Sequence, residues 1–286
     1  MAIIIDALLD ALKDTAWALP FLFAAYLLME MLERHSELLA GKLFRKREYF
    51  GPIIGSALGL VPQCGFSAAM SNLFCGGVIQ VGTLIAVFLA TSDEALILLI
   101  QGAVAGTVQV GPIIKLLVTK FIAGIVFGYI LNFIFRKRKS GKEISDICQD
   151  EHCGCETSKN IWKPALIHTA KMIVWIFIIC FVLNILIMLV GEETIATWIG
   201  GNFFFQPLLT ALVGLVPNCA ISVLFTQLYI TGSLNFASTV AGLCTGAGIG
   251  LIVLFRVDKN KKECFITLGL LYACGAITGL ILNLFS

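Results

Sequence analysis

Apolar and charged positions are sharply segregated along this chain of 286 residues. Four long stretches contain no Asp, Glu, Lys or Arg, and they cover 51–92, 172–191, 194–255 and 265–286. A helix needs about 20 apolar residues to cross a bilayer, so each stretch has room for at least one span. The pattern predicts an all-α integral membrane protein.

Two similar helix breakers interrupt these stretches. Residues 61–64 read Val-Pro-Gln-Cys, and residues 216–219 read Val-Pro-Asn-Cys. Proline inside a helix removes a hydrogen bond and clashes with the preceding turn. In a bilayer, such irregular backbone survives only where protein buries it or where it lines a cavity. We therefore expect proline-broken or re-entrant helices at both places.

The two breakers belong to an internal repeat. When 59–100 is laid on 214–255, an offset of 155 residues, 12 of 42 positions are identical. The opening helices align at an offset of 154. We expect membrane repeat 1 over 1–135, a linker over 136–163, and membrane repeat 2 over 164–286.

Basic residues give each repeat a direction, because cytoplasmic loops are enriched in Lys and Arg. Repeat 1 is basic after its first span, whereas repeat 2 is basic before its last span, and the linker opens with Arg-Lys-Arg-Lys at 136–139. The repeats are therefore predicted to be inverted, with the breaks meeting near the membrane midplane. The linker would be cytoplasmic and both termini outside, with three or five crossings per repeat.

Composition supports the membrane assignment and excludes other classes. The chain is 58% hydrophobic and 13% charged, against about 25% charged residues in soluble domains. The N-terminus lacks the basic region of a removable signal peptide. Walker A, GxSxG, HExxH and Rossmann motifs are absent from the sequence. We expect no enzyme activity, no cofactor and no nucleic-acid partner.

The Val-Pro-x-Cys elements are the first candidate site. A helix that begins after each proline would place free amides and a positive dipole end at mid-depth. Small and polar residues follow at once, and the predicted substrate-binding set is Pro62, Gln63, Cys64, Ser67, Pro217, Asn218, Cys219 and Ser222. Alternatively, the elements are structural kinks whose cysteines only pack.

A second candidate site is Thr91-Ser92-Asp93-Glu94, which lies inside an apolar stretch. Carboxylates at membrane depth are costly and indicate function. The repeat-related residues after Thr245 are Gly246, Ala247 and Gly248, so acid in one repeat faces open backbone in the other. We expect Thr91, Ser92, Thr245 and Gly246 to bind substrate and Asp93 and Glu94 to couple ions. The alternative is a loop at the membrane surface.

Titratable residues elsewhere add two further candidates. Asp14 and His168 occupy equivalent places in the two opening helices and could couple ions, unless both lie at solvated helix ends. The linker contains Cys148, His152, Cys153 and Cys155. Thiolate and imidazole ligands suit soft metals, although the spacing matches no zinc finger and a flexible linker with incidental cysteines is the alternative.

The residues of the first repeat carry a family resemblance. Leu60-Val-Pro-Gln-Cys-Gly-Phe-Ser67, followed by Gly82 to Ala95 with its Thr-Ser-Asp-Glu break, resembles the bacterial ArsP-like family of arsenic efflux proteins. That family is also described as ten-span heavy-metal or manganese exporters. The resemblance covers essentially the whole chain and implies export from the cytoplasm across the inner membrane.

Two functions therefore remain open at this point. The first is secondary export of a metalloid, such as arsenite or an organoarsenical, or of a divalent heavy metal. The second is transport of an anion or a lipid-linked phosphate between paired helix N-termini, and a membrane enzyme or scaffold is a weaker third. The expected partners are a small inorganic ion or metalloid and the lipid bilayer, and the sequence leaves a homo-oligomer open.

Overall fold

Helices are the only regular elements among the residues that the structure describes. The structure is a computed structural model, and it describes residues 8–9, 11–12, 15–16, 19–20, 22–24, 26–27, 50–61, 64–104, 106, 109–135, 162–190, 205–258 and 260–285. Together with the long apolar helices described below, this confirms the predicted all-α membrane protein.

Among the described residues, eleven helices with defined bounds follow the helical residues 8–9, 11–12, 15–16, 19–20, 22–24 and 26–27. In the first half they are α1 (Gly51–Gly59), α2 (Cys64–Cys75), α3 (Val81–Ala90), α4 (Asp93–Val104) and α5 (Val110–Ile134). Then come α6 (Trp162–Val190), α7 (Gln206–Gly214), α8 (Cys219–Ile230), α9 (Phe236–Thr245), α10 (Ile249–Val257) and α11 (Lys261–Leu284).

Proline positions set the shortest helices. Pro52 and Pro207 lie in the first turns of α1 and α7, where a missing amide costs nothing. The next prolines, Pro62 and Pro217, follow the ends of these helices, and new helices begin at Cys64 and Cys219. The breaks that the Val-Pro-x-Cys motifs predict are therefore present in both halves.

Helix bounds recur between the two halves. The bounds of α1, α2 and α3 plus 155 residues are those of α7, α8 and α9. Helices α2 and α8 also end in the same way, at Gly77 (φ 71°) and Gly232 (φ 77°). These left-handed glycines let the following amides, of Val78 and Ser233, turn back to carbonyls of the last helical turn. The sequence repeat is therefore a repeat of local structure.

Each half packs its own helices through small residues. In the first half, a Cβ added to Gly128 on α5 would lie 2.8 Å from the Cβ of Pro52 and 2.9 Å from that of Ala86. In the second half, a Cβ added to Gly279 on α11 would meet the equivalent residues, Pro207 and Ala241, at 3.0 and 2.5 Å. Small residues at these positions let apolar helices approach closely, as membrane helices commonly do.

Between the halves the packing is reciprocal. Helix α2 packs on α10 of the second half, and the repeat-related α8 packs on α4 of the first half. Such exchange is the contact pattern that a two-fold axis produces. Each Val-Pro-x-Cys helix therefore lies mainly against an interrupted helix of the other repeat, rather than against the other Val-Pro-x-Cys helix. The inverted orientation of the repeats stays a prediction.

Five described stretches are long and apolar enough to cross a membrane: Val81–Val104, Val110–Ile134, Ala165–Leu186, Phe236–Val257 and Lys261–Leu284. Two of them contain a break near the middle, because the first joins α3 to α4 and the fourth joins α9 to α10. A helix of ten residues is about 15 Å long, which is half of a hydrocarbon core of about 30 Å. Where these stretches cross the membrane, both breaks would therefore lie near mid-depth.

Candidate functional site

The break between α3 and α4 is closed to solvent in the described structure. Thr91 and Ser92 are both 3% exposed. Thr91 Oγ1 donates to the carbonyl of Val87 (2.8 Å), and Ser92 Oγ donates to that of Ala90 (3.1 Å). Both hydroxyls thus donate to carbonyls at the end of α3, and the Val87 carbonyl also accepts the amide of Thr91 (2.9 Å). Their lone pairs remain to accept hydrogen bonds.

The break between α9 and α10 uses glycine where the first repeat has acid. Gly248, the position equivalent to Asp93, has φ 53° and ψ −139°. The amide of Ala247 donates to the carbonyl of Thr245 (2.9 Å) and not to the carbonyl of Leu243, four residues back. The Leu243 carbonyl is therefore left without the amide that a continuous helix would supply.

Lys120 supplies a hydrogen-bond donor to the carbonyls of both breaks. This side chain is 1% exposed, and it is the eleventh of the 25 residues of α5, so it lies near the middle of a span. Its Nζ donates to the carbonyl of Leu243 (2.8 Å) and to the carbonyl of Thr91. One ammonium thus joins the C-terminal ends of α3 and α9, where the helix dipoles favour a cation.

A third break, between α7 and α8, is held by two asparagines. Asn218 Oδ1 accepts from the amide of Ala220 (2.8 Å), so Asn218 caps the start of α8. Its Nδ2 donates to Oδ1 of Asn184 on α6. The sequence predicts free amides at this helix start, and the amide of Ala220 is instead occupied by the cap. Cys219, the first residue of α8, is buried.

The breaks adjoin one another. A Cβ added to Gly246 would lie 3.6 Å from Oγ of Ser222, so the first turn of α8 reaches the break between α9 and α10. From the other repeat, Ser71 Oγ on α2 donates to the carbonyl of Gly250 (2.7 Å), in the first turn of α10. The predicted residues Ser222 and Gly246 are therefore neighbours. A Cβ added to Gly250 would also lie only 2.9 Å from the Cβ of the predicted residue Ser67.

The remaining predicted residues are only partly described. His168 is 6% exposed and stacks on the ring of Tyr26 at 5.3 Å, so it does not lie at a solvated helix end. Asp93, Glu94 and Cys64 lie at the starts of α4 and α2, and their side chains are outside the description. Also outside the described residues are Asp14, Pro62, Gln63, Cys148, His152, Cys153 and Cys155.

Three buried polar residues were missed by the sequence analysis. Lys120 had a visible signal, since it is one of two cations, with Lys115, in the 25-residue apolar helix α5. Asn184 had a weaker one, an amide inside the apolar α6. Asn72 is 0% exposed, and neither its Nδ2 nor its Oδ1 has a hydrogen-bond partner among the described residues. An amide left so costs about 1–3 kcal/mol, which makes Asn72 a candidate ligand-binding group beside Ser71.

One protein family matches the chain, with the description "Putative, 10TM heavy-metal exporter", over residues 1–190 and 147–251. The chain belongs to this family. Membership of this exporter family makes it a multi-pass membrane transporter, and the resemblance found in the sequence is confirmed. No curated protein and no solved structure matches the chain significantly.

The glycine break gives a matched pair of substitutions in the exporter. Gly248→Ala places a Cβ on left-handed backbone, so we expect a loss of about 1–3 kcal/mol in stability. Gly246, two residues earlier, has φ −72°, and a Cβ added there would lie no closer than 3.6 Å to any atom. We therefore expect little change in stability from Gly246→Ala. Thermal unfolding of both purified variants in detergent measures the difference, and equal losses would contradict the described backbone.

Proposed function

We propose that this protein is a secondary exporter of a soft metal or metalloid, which binds where the helix breaks adjoin at mid-membrane. The observation that carries this proposal is the convergence of two interrupted spans on the buried Lys120. Membership of the heavy-metal exporter family supports the cargo class. Broken helices that meet at mid-depth are the usual setting of substrate and ion sites in secondary transporters.

Thiols are the proposed cargo ligands. Cys219 is buried at the start of α8, and the adjacent turn brings Ser222 to Gly246. Cys64 is the first residue of α2, which packs on α10 through Ser67 and Gly250. Each thiol therefore begins a helix that leads into the site, and soft thiolates favour soft metals and metalloids. The remaining predicted ligands supply hydroxyl, amide or backbone contacts: Pro62, Gln63, Thr91, Ser92, Pro217, Asn218 and Thr245.

Charge balance supports a role for the acidic pair. Asp93 and Glu94 open α4, two and three residues beyond the carbonyl to which Lys120 donates. With all three groups ionised, two negative charges and one positive charge leave a single negative charge. A site of that kind suits exchange of cargo for protons, and we assign this coupling to Asp93 and Glu94, with Asp14 and His168 as further candidates.

Transport of an anion or a lipid-linked phosphate is the second candidate. Lys120 favours it, since an ammonium at mid-depth attracts anions. The described geometry supports it less, because Lys120 faces helix C-terminal carbonyls and Asn218 occupies the Ala220 amide of the α8 N-terminus. The metalloid or metal proposal therefore has more support.

The membrane orientation completes the proposal. We place the protein in a bacterial inner membrane with the linker in the cytoplasm, where Cys148, His152, Cys153 and Cys155 would capture cargo, and with both termini outside. The basic residues around 136–139 and 256–262 support this orientation. An odd number of crossings per repeat then requires each of the pairs α1–α2 and α7–α8 to begin and end on the same side of the membrane.

Orientation is tested by sided labelling. Epitope tags placed at 145 and after the C-terminus should differ in access, because the linker is proposed to be cytoplasmic and the C-terminus outside. In intact spheroplasts, an antibody should reach the C-terminal tag only, and permeabilised cells provide the control for both tags. Labelling of both tags in intact spheroplasts would contradict the inverted arrangement.

Cargo and thiol dependence are tested together by cellular accumulation. In cells that overproduce the protein, we expect the cellular content of arsenite, manganese or zinc to be several-fold lower than in cells that lack it. Cys64→Ser with Cys219→Ser should return accumulation to the level of cells without the protein, since soft cargo loses its ligands. Cys180→Ser on α6, also a buried thiol, is the matched control. Full export by the double variant would refute the thiol ligands, and unchanged accumulation of all three elements would refute this cargo set.

A further inference from the structure

The most unusual polar contact among the described residues is made by one side chain between the two repeats. Lys120 belongs to α5 of the first repeat, and its Nζ reaches a carbonyl beside α3 and another on α9 of the second repeat. Two carbonyls at the C-terminal ends of half-helices are the ligand type that broken-helix transporters use for small cations. Here the cation is an ammonium of the chain itself.

The carbonyl of Leu243 shows why a cation is needed there. Because Ala247 donates to Thr245 instead, the Leu243 carbonyl faces mid-membrane without a main-chain partner. Water is scarce at this depth, and an unsatisfied carbonyl there is costly. The nearby hydroxyl of Thr245 donates to Gly242 (3.0 Å) and Ala241 (3.3 Å), so it donates to other carbonyls. Lys120 at 2.8 Å is therefore the group that satisfies this carbonyl.

Packing alone does not demand a lysine at this position. Gly128 on α5 and Gly279 on α11 make equivalent contacts, and Gly124 and Gly275 approach the equivalent carbonyls of Ala86 and Ala241. Both pairs set an offset of 151 residues between these helices. At that offset, the counterpart of Lys120 is Leu271, which is 0% exposed. The second repeat thus fills the same place with an apolar side chain. The difference between the repeats is the charge and not the volume.

We propose that the ammonium of Lys120 is a built-in cation, which occupies a monovalent-cation site formed by the carbonyls of Thr91 and Leu243. The ligand class of this site is a small monovalent cation or a primary alkylammonium. In the transporter, the tethered charge holds the two breaks together, and no inorganic cation has to bind between them during the cycle. That role in transport rests on the proposed function, whereas the cation site itself does not.

The test is rescue of a truncated side chain by an external cation. Lys120→Ala removes three methylenes and the ammonium, and propylammonium has the same atoms. We expect the variant, purified in detergent, to lose about 5 °C in Tm, because two buried carbonyls lose their donor. Propylammonium should restore at least half of this loss in a saturable manner, and K⁺ at high concentration should restore part of it.

Matched controls separate a cation site from a simple cavity. Leu271→Ala opens a similar cavity at the repeat-related place without the two carbonyls, so propylammonium should not raise its Tm. Propanol, which is similar in size and uncharged, should not rescue Lys120→Ala. If propylammonium fails on Lys120→Ala, if it acts equally on Leu271→Ala, or if propanol matches it, the built-in cation is refuted.

A second variant covers the case in which Lys120→Ala does not fold. Lys120→Met keeps most of the side-chain volume and removes the charge, so the variant should be folded, less stable than the wild type, and unaffected by propylammonium because its side chain fills the space. Wild-type stability together with wild-type export in Lys120→Met would overturn the proposal. These stability measurements need no cargo, so their outcome does not depend on the outcome of the accumulation experiment.

Discussion

Backbone groups that are freed at mid-membrane need partners from the protein itself, and this constraint organises the structure. Each break in α3–α4 and α9–α10 frees carbonyls after ten helical residues of a stretch that is long enough to span a bilayer, where water would be scarce. The protein supplies these partners itself: hydroxyls that donate to carbonyls of α3 and α9, the Asn218 cap on α8, and one buried ammonium. A transport site can exist there because the irregular backbone is stabilised in these ways.

The reciprocal packing of helices between the repeats follows from the same need for hydrogen-bond partners. A broken helix cannot cover its own break, and α2 and α8 each pack on an interrupted helix of the other repeat. Small residues such as Gly250 and Ser67 let these backbones come close enough for Ser71 to donate to a carbonyl across the interface. Movement of one repeat against the other would therefore alter the breaks directly, which links global motion to the site.

Much of the fold could be predicted from the sequence, since proline, glycine and charge act locally. The starts of α2 and α8, the break after Thr91 and the internal repeat are visible in the residues themselves. The packing of helices of one repeat against helices of the other was not predictable, because apolar periodicity does not say which apolar faces meet. Lys120 was overlooked for a related reason: a cation in an apolar span indicates function, but only the fold shows that Lys120, and not Lys115 of the same helix, lies between Thr91 and Leu243.

The two breaks adjoin and share the ammonium of Lys120. An experimental density map of the protein in a lipid nanodisc, at a resolution that shows side chains, would test this arrangement. We predict Lys120 Nζ within about 3 Å of the carbonyl oxygens of both Thr91 and Leu243. A Lys120 side chain that points to lipid, or breaks separated by intact helices, would contradict it.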